Sequence, residues 1–476
     1  MRTAPRRLPR IAACALGLAA LHATSAFAAD ASAFDGARLT LLWAAPFAGL
    51  LLSIALIPLV AQSFWHHHYG KFSAAWALAL LAPMAWTFGV GETWHQVVHA
   101  LLLEYIPFVA ILFALYTIAG GICVHGPVAG TPARNTAILG LGAGLASLMG
   151  TTGASMLLIR PLLAGNETRK HRVHAVVFFI LLVGNVGGAL SPLGDPPLFI
   201  GYLKGVDFFW TTYELAKPTL LIVTVLLVMF YVLDRWFMRH DPPAVASEIA
   251  RGPIWVEGKW NFLLLAGVVG AVLMSGMWKP GIEFDVFGTP LALQALVRDV
   301  LLVGLALLSL VLTPRAVREH NAFHWEPIRE VAKIFAGIFI TIIPALAILA
   351  AGREGALAAV STFIARPDGS LSNPMVFWTT GVLSAFLDNA PTYLVFFNLA
   401  GGNPQSLMGP LAGTLTAISM GAVYFGALTY VGNAPNFMIK AIAEDRGIAM
   451  PSFFGYIAYA GMAMLPLLAI VAWQFL

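Results

Sequence analysis

Charge is scarce in this chain. Asp, Glu, Lys and Arg make up 11% of its 476 residues, against roughly a quarter in an ordinary soluble domain. Hydrophobic residues make up 59%, so too little polar surface exists to coat a water-soluble core of this size. Basic and acidic residues nearly cancel, leaving a net charge of +4, and so small an excess excludes a nucleic-acid-binding face. Cysteine is almost missing. Cys14 and Cys123 stand far apart, which excludes a disulfide framework and a cysteine-based metal cluster. Long apolar runs are what the chain has in abundance.

The first run is a targeting segment. Arg2, Arg6, Arg7 and Arg10 form a basic start, Ile11 to Leu21 a short apolar stretch, and Ala26-Phe27-Ala28 a small-x-small cleavage signature. Residues 1–28 are therefore expected to be a signal peptide, which leaves the mature N-terminus periplasmic. The alternative is an uncleaved signal-anchor, although the run is shorter than the roughly 20 residues a span needs. Either way residue 30 starts outside.

Downstream, full-length spans are expected at 39–62, 74–90, 106–124, 218–237, 261–278, 296–313, 334–351 and 452–475. Four other apolar segments are interrupted. Segments 136–164 and 375–402 break at Gly150-Thr151-Thr152-Gly153 and at Asp388-Asn389-Ala390-Pro391, and read as re-entrant hairpins. Segments 175–205 and 409–442 are too long for one straight span. They break at Ser191-Pro192-Leu193-Gly194-Asp195-Pro196-Pro197 and Val431-Gly432-Asn433-Ala434-Pro435-Asn436, and read as discontinuous helices.

The fold class is thus an all-α polytopic membrane protein. Residues 39–237 give three spans, a hairpin, a broken helix and a span; residues 261–475 repeat the series from the opposite face. Between them lies a polar cytoplasmic linker, 238–260. This inverted-topology repeat puts irregular backbone at matching places, the pattern that marks a midplane transport site. Basic residues support the orientation: Arg134, Arg169, Lys170, Arg172, Arg235 and Arg239 fall in loops assigned to the cytoplasm, which outnumber the outer ones roughly two to one.

Gly184-Asn185-Val186-Gly187-Gly188 through Gly194-Asp195-Pro196-Pro197 is similar to the "NxGGxxxxxGDPP" signature of the ion transporter superfamily. Ser384-Ala385-Phe386-Leu387-Asp388-Asn389-Ala390-Pro391 resembles the "SxFxDNxP" hairpin of its antiporter and arsenite branches. The nearest resemblance is to NhaD-type sodium/proton antiporters and the CitMHS-like citrate transporter group. The paired Ser-Asn-Thr hairpin motifs of the divalent-anion symporters are absent. The resemblance implies secondary transport across a bacterial inner membrane, and a homodimer.

A carboxylate at bilayer depth is unfavourable by about 2.5–3.5 kcal/mol even on the lenient insertion scale, so Asp195 and Asp388 are the leading candidates for an ion site. Asp195 and the carbonyls freed beside it offer hard oxygen ligands to sodium. Asp388 would approach the same midplane with the Asn389 amide and the Thr392 hydroxyl. Two carboxylates sharing one dry site repel, so a proton held there is released when a cation arrives. The alternative role for each is a buried acceptor holding hairpin backbone. Thr151, Thr152, Ser155, Ser191, Asn433 and Asn436, with Thr429, either coordinate the guest or cap half-helices. Half-helix N-termini favour an anion, which keeps a carboxylate substrate in play.

The expected activity is sodium (or lithium)/proton exchange, with citrate or a related carboxylate as the alternative cargo. No cofactor is expected beyond the transported ions, and the partners are lipid and a small ion. An intramembrane aspartyl protease is the competing class, since Leu193-Gly194-Asp195 is similar to a "GxGD" element. Pro192 replaces its first glycine, however, and no Tyr-Asp partner exists, so no enzyme is expected. Other features read as peripheral. His66-His67-His68 lies at a membrane boundary, Glu92, His95 and His99 share a helical face with the spacing of a metal site, Arg160 attracts an anion or pairs with a carboxylate, and Lys440 with Glu444 marks a helix end.

Overall fold

Apolar runs become helices in a bilayer because only a helix satisfies all of its backbone hydrogen bonds within one segment. The computed structural model describes residues 35–126, 130–241, 255–321, 323–351, 354–356, 358–366 and 370–476. Among these, seven helices are long and apolar enough to cross a membrane: Leu41–Pro58, Val90–Ala119, Val173–Leu190, Trp210–His240, Trp260–Met277, Leu293–Leu312 and Phe453–Phe475. Glu326–Thr341 and Ile343–Ala350 form an eighth, bent by 43°. Pro344, with no N–H to continue the ladder, follows the bend. The chain is an all-α polytopic membrane protein. Residues 1–28, where a signal peptide is expected, and the interior of the expected linker, 242–254, lie outside the described residues.

Some boundaries differ from expectation. Helix Gln62–Phe88 runs through the three histidines rather than starting at 74, and His67 and His68 contact the carbonyls of Ser63 and Phe64 one turn back. Glu92, His95 and His99 ride on Val90–Ala100, which continues through a π turn at Leu101–Tyr105 into Ile106–Ala119. Two short antiparallel ribbons also appear. β1 (Cys123–His125) pairs with β2 (Trp255–Glu257), and β3 (Glu283–Val286) with β4 (Thr289–Ala292). The second ribbon turns at Phe287 and Gly288, both with positive φ, as a tight hairpin requires.

The interrupted segments occupy the interior. The first hairpin is Pro132–Met149 and Thr151–Gly165. Its outer ends meet where Asn135 and Asn166 exchange amide hydrogen bonds of 2.9 Å, so the chain turns back on itself. The second is Asn373–Leu387 and Asn389–Leu399. Broken helices Val173–Leu182/Pro196–Leu203 and Ala412–Phe425/Ala434–Asp445 pack between them. Burial separates these from the scaffold: the Val173–Leu190 stretch is 89% buried within the protein, whereas Leu293–Leu312 is 22% buried and offers its apolar face to lipid.

A buried ionic cluster ties the first hairpin to its neighbours. Arg169 bridges Asp234 at 2.5 Å and Asp241 at 3.1 Å, while His174 and His171 contact those two carboxylates at 2.8 and 2.6 Å. Asn135 adds a further donor to Asp234. With every partner present the cluster is satisfied. Removing Arg169, the cation both carboxylates share, would leave buried charge, which typically destabilises by about 3–5 kcal/mol.

Candidate functional site

The four breaks converge on Asp195, which is 2% exposed. Its Oδ2 accepts a hydrogen bond of 2.6 Å from Asn389 at the second hairpin tip. Its Oδ1 accepts 2.9 Å from Asn433 in the second broken helix and 3.4 Å from Thr151 at the first tip. The Thr151 N–H also donates to the Gly194 carbonyl at 2.9 Å. One carboxylate therefore gathers a ligand from each of the other three breaks. All three are neutral donors.

The local backbone repeats between halves. Asp195 and Asn433 stand 238 positions apart and share extended geometry, φ/ψ −142/141 and −154/140. Gly150 and Asp388 keep the same spacing, with φ/ψ 80/150 and 86/138. Ser191 donates to the Ser147 carbonyl and Thr429 to that of Ala385, each across 44 residues. The reason is visible in sequence: Gly188-Ala189-Leu190-Ser191 and Gly426-Ala427-Leu428-Thr429 each lead to a Gly followed by Asp195 or Asn433. Glycine is needed at both approaches. A Cβ on Gly194 would lie 2.0 Å from the Gly188 carbonyl oxygen, and one on Gly432 2.7 Å from that of Gly426.

Asp388 holds a positive φ that a non-glycine residue adopts only under strain, of order 1–3 kcal/mol. Its side chain accepts from the Ala390 N–H and caps the second arm of its hairpin. It lines a cavity of 320 Å³ with Arg160, His66, His324, Glu330 and Asn433. Asp195 lines a smaller cavity of 90 Å³ with Gly150, Thr151, Thr152, Gly153 and Pro192. Asn433 lines the larger cavity and donates to Asp195, and Asn389, next to Asp388, donates to Asp195 as well.

The remaining candidates divide. Ser155 Oγ and Asn389 Oδ1 are buried with no hydrogen-bond partner among the described residues, and Asn389 is the side chain whose amide donates to Asp195. Thr392 donates to the Asp388 carbonyl, and Ser191 to that of Ser147; both hydroxyls serve the backbone. Asn436 spends its amide on the carbonyls of Gly426 and Thr429 and accepts from Asn185. Asn185, which opens the Asn185-Val186-Gly187-Gly188 motif but is not among the expected site residues, links the two broken helices. Arg160 donates to Asn321, and Lys440 pairs with Glu444 at 2.7 Å. His95 instead contacts the Gly288 carbonyl, and Glu92 accepts from Gln96. Among the described residues, no Lys, Arg or His pairs with Asp195 or Asp388.

No curated protein matches the chain. A family model described as "Putative citrate transport" matches residues 36–476.

Proposed function

Since the chain belongs to this citrate transport family and is a multi-pass membrane protein, we propose that it exchanges sodium or lithium for protons. One observation carries the reading. Among the described residues Asp195 is a buried carboxylate met only by neutral donors, and a buried anion without a positive partner is unstable until it takes up a cation or a proton. The two guests compete for one charge, which couples their movements in opposite directions.

The supporting chemistry is that of a hard cation. Carboxylate, amide and hydroxyl oxygens are the donors sodium takes, and Asp195, Asn389, Thr151 and Ser155 provide all three kinds. Thr152 lines the same space. Asp388 is a second acidic station on the route, in the larger cavity. The positive ends of the half-helices starting at Thr151 and Asn389 offset part of the carboxylate charge, so that binding stays reversible. We further read the leader as exported, the chain as resident in a bacterial inner membrane, and the working unit as a homodimer.

Citrate-linked transport is the second reading. The 320 Å³ cavity falls in the range of small-molecule sites, and Arg160 lines it. A guanidinium there offers a carboxylate ligand paired donors. The 90 Å³ space at Asp195 has room for only a few water-sized guests. In this reading the organic anion occupies the larger cavity and the cation stays at Asp195.

Everted membrane vesicles carrying a proton gradient distinguish the two. Sodium should dissipate the gradient, and Asp195→Asn should abolish the response. Citrate uptake with no response to sodium would overturn the exchange reading. Sodium-dependent citrate uptake lost in Arg160→Ala would instead establish the second.

A further inference from the structure

Three chain segments meet at the β1–β2 ribbon. In the β1–β2 ribbon Cys123 faces Glu257 and His125 faces Trp255. Residues two apart on a strand share a face, so His125 and Glu257 project from the same side. Helix Arg315–His320 ends beside them, with the His320 ring 5.5 Å from His125 and nearly perpendicular to it. Trp255 stacks on His125 at 5.3 Å, which fixes the plane of that imidazole.

The result is a gathering of three ligand-bearing groups. One nitrogen from each histidine and one carboxylate oxygen of Glu257 all lie within 4.8 Å of one another. Among the described residues His125 Nε2 is buried without a hydrogen-bond partner, although Glu257 Oε2 stands 3.1 Å away; the contact lacks the geometry of a hydrogen bond. An oriented nitrogen and a carboxylate facing one another without a shared hydrogen bond leave their lone pairs available to a third party.

We propose that His125, Glu257 and His320 form a binding site for a divalent transition-metal ion, for which zinc is the reference. Two imidazoles and one carboxylate, with water in a fourth position, are a donor set suited to zinc and its neighbours. Calcium and sodium favour oxygen alone, so this site and Asp195 select different cations. Tetrahedral bonds of about 2.1 Å place ligand atoms roughly 3.4 Å apart, and closing the triangle needs a modest shift of one partner. His320 is the exposed last residue of its helix and is the one free to move. A bound ion clips the strand before the Trp260–Met277 span to the end of Val90–Ala119 and to the loop after Leu293–Leu312. It acts on the junction between the halves.

The test uses the full chain in detergent, with any affinity tag removed and metal stripped by a chelator. Zinc is titrated against a chromophoric competitor, and thermal unfolding is followed in parallel. One zinc per chain should bind and raise the Tm. His125→Ala should abolish binding, and His320→Ala and Glu257→Gln should each weaken it by at least about tenfold. His67→Ala/His68→Ala should change nothing. His320 is exposed, so its variant reports on binding even if His125→Ala fails to fold. No saturable binding, or binding indifferent to His320→Ala and Glu257→Gln, would overturn the site. Sodium-driven proton exchange by the metal-free protein tests the transport reading separately.

Discussion

The first and second halves build the same backbone around the centre and place charge differently on it. At the broken helix the first half has Asp195 and the second Asn433; at the hairpin tip the first has Gly150 and the second Asp388. Geometry is repeated, while the carboxylate changes seats. The conformation at residue 150 belongs naturally to glycine, and Asp388 adopts it against preference. A strained acidic residue thus stands where the other half manages with glycine. Asn433 in turn gives its amide to Asp195, so the second half supplies a ligand to the first half's charge. The two halves make one asymmetric centre.

The comparison is broken most severely by moving its charge. Asp195→Asn should reduce sodium-driven exchange to background in vesicles. Adding Asn433→Asp should recover measurable exchange if the two seats are interchangeable. Next come the close approaches. Gly194→Ala meets a carbonyl at 2.0 Å and should destabilise by about 3 kcal/mol or more, against roughly 1–2 for Gly432→Ala at 2.7 Å; denaturation in detergent measures both. Asp388→Gly sharpens the contrast, because relief of the positive φ should raise stability by about 1 kcal/mol while exchange falls. A loss of stability there would mean that Asp388 is retained for structure. The smallest effect concerns Asp241, outside the spans. Burial pushes its carboxyl up, but hydrogen bonds from His171 and Arg169 outweigh this and hold it below the usual carboxylate range. Its stabilisation is therefore complete above the unfolded value of about 3.9 and lost as pH falls through the lower folded one. Asp241→Asn should lower Tm at neutral pH, with the difference shrinking below about pH 4.

Much of this arrangement was readable from residues. Gly, Pro and Asp clustered inside apolar runs mark the four breaks, because together they disfavour a continuous helix and the backbone groups they free need a protein-lined interior. The shared Gly-Ala-Leu stretches are equally a matter of sequence. What was not readable depends on distance along the chain. Asn389 lies 194 positions from the carboxylate it binds, and no local pattern predicts that meeting. Nor does a pattern distinguish Thr151, which faces Asp195, from Thr392, whose hydroxyl turns to the backbone one turn back. Helix Gln62–Phe88 outran its apolar stretch because its polar end carries no effective breaker. The β1–β2 ribbon of three-residue strands is too short to show a period.

The central claim is that one buried carboxylate, Asp195, is shared between sodium and a proton. Calorimetric titration of the purified chain with sodium, repeated in buffers of different ionisation enthalpy, measures the protons released on binding. The wild-type chain should release protons as sodium binds, with apparent affinity rising with pH, and Asp195→Asn should show neither binding nor release. Sodium binding of unchanged affinity and proton count in Asp195→Asn would contradict the account.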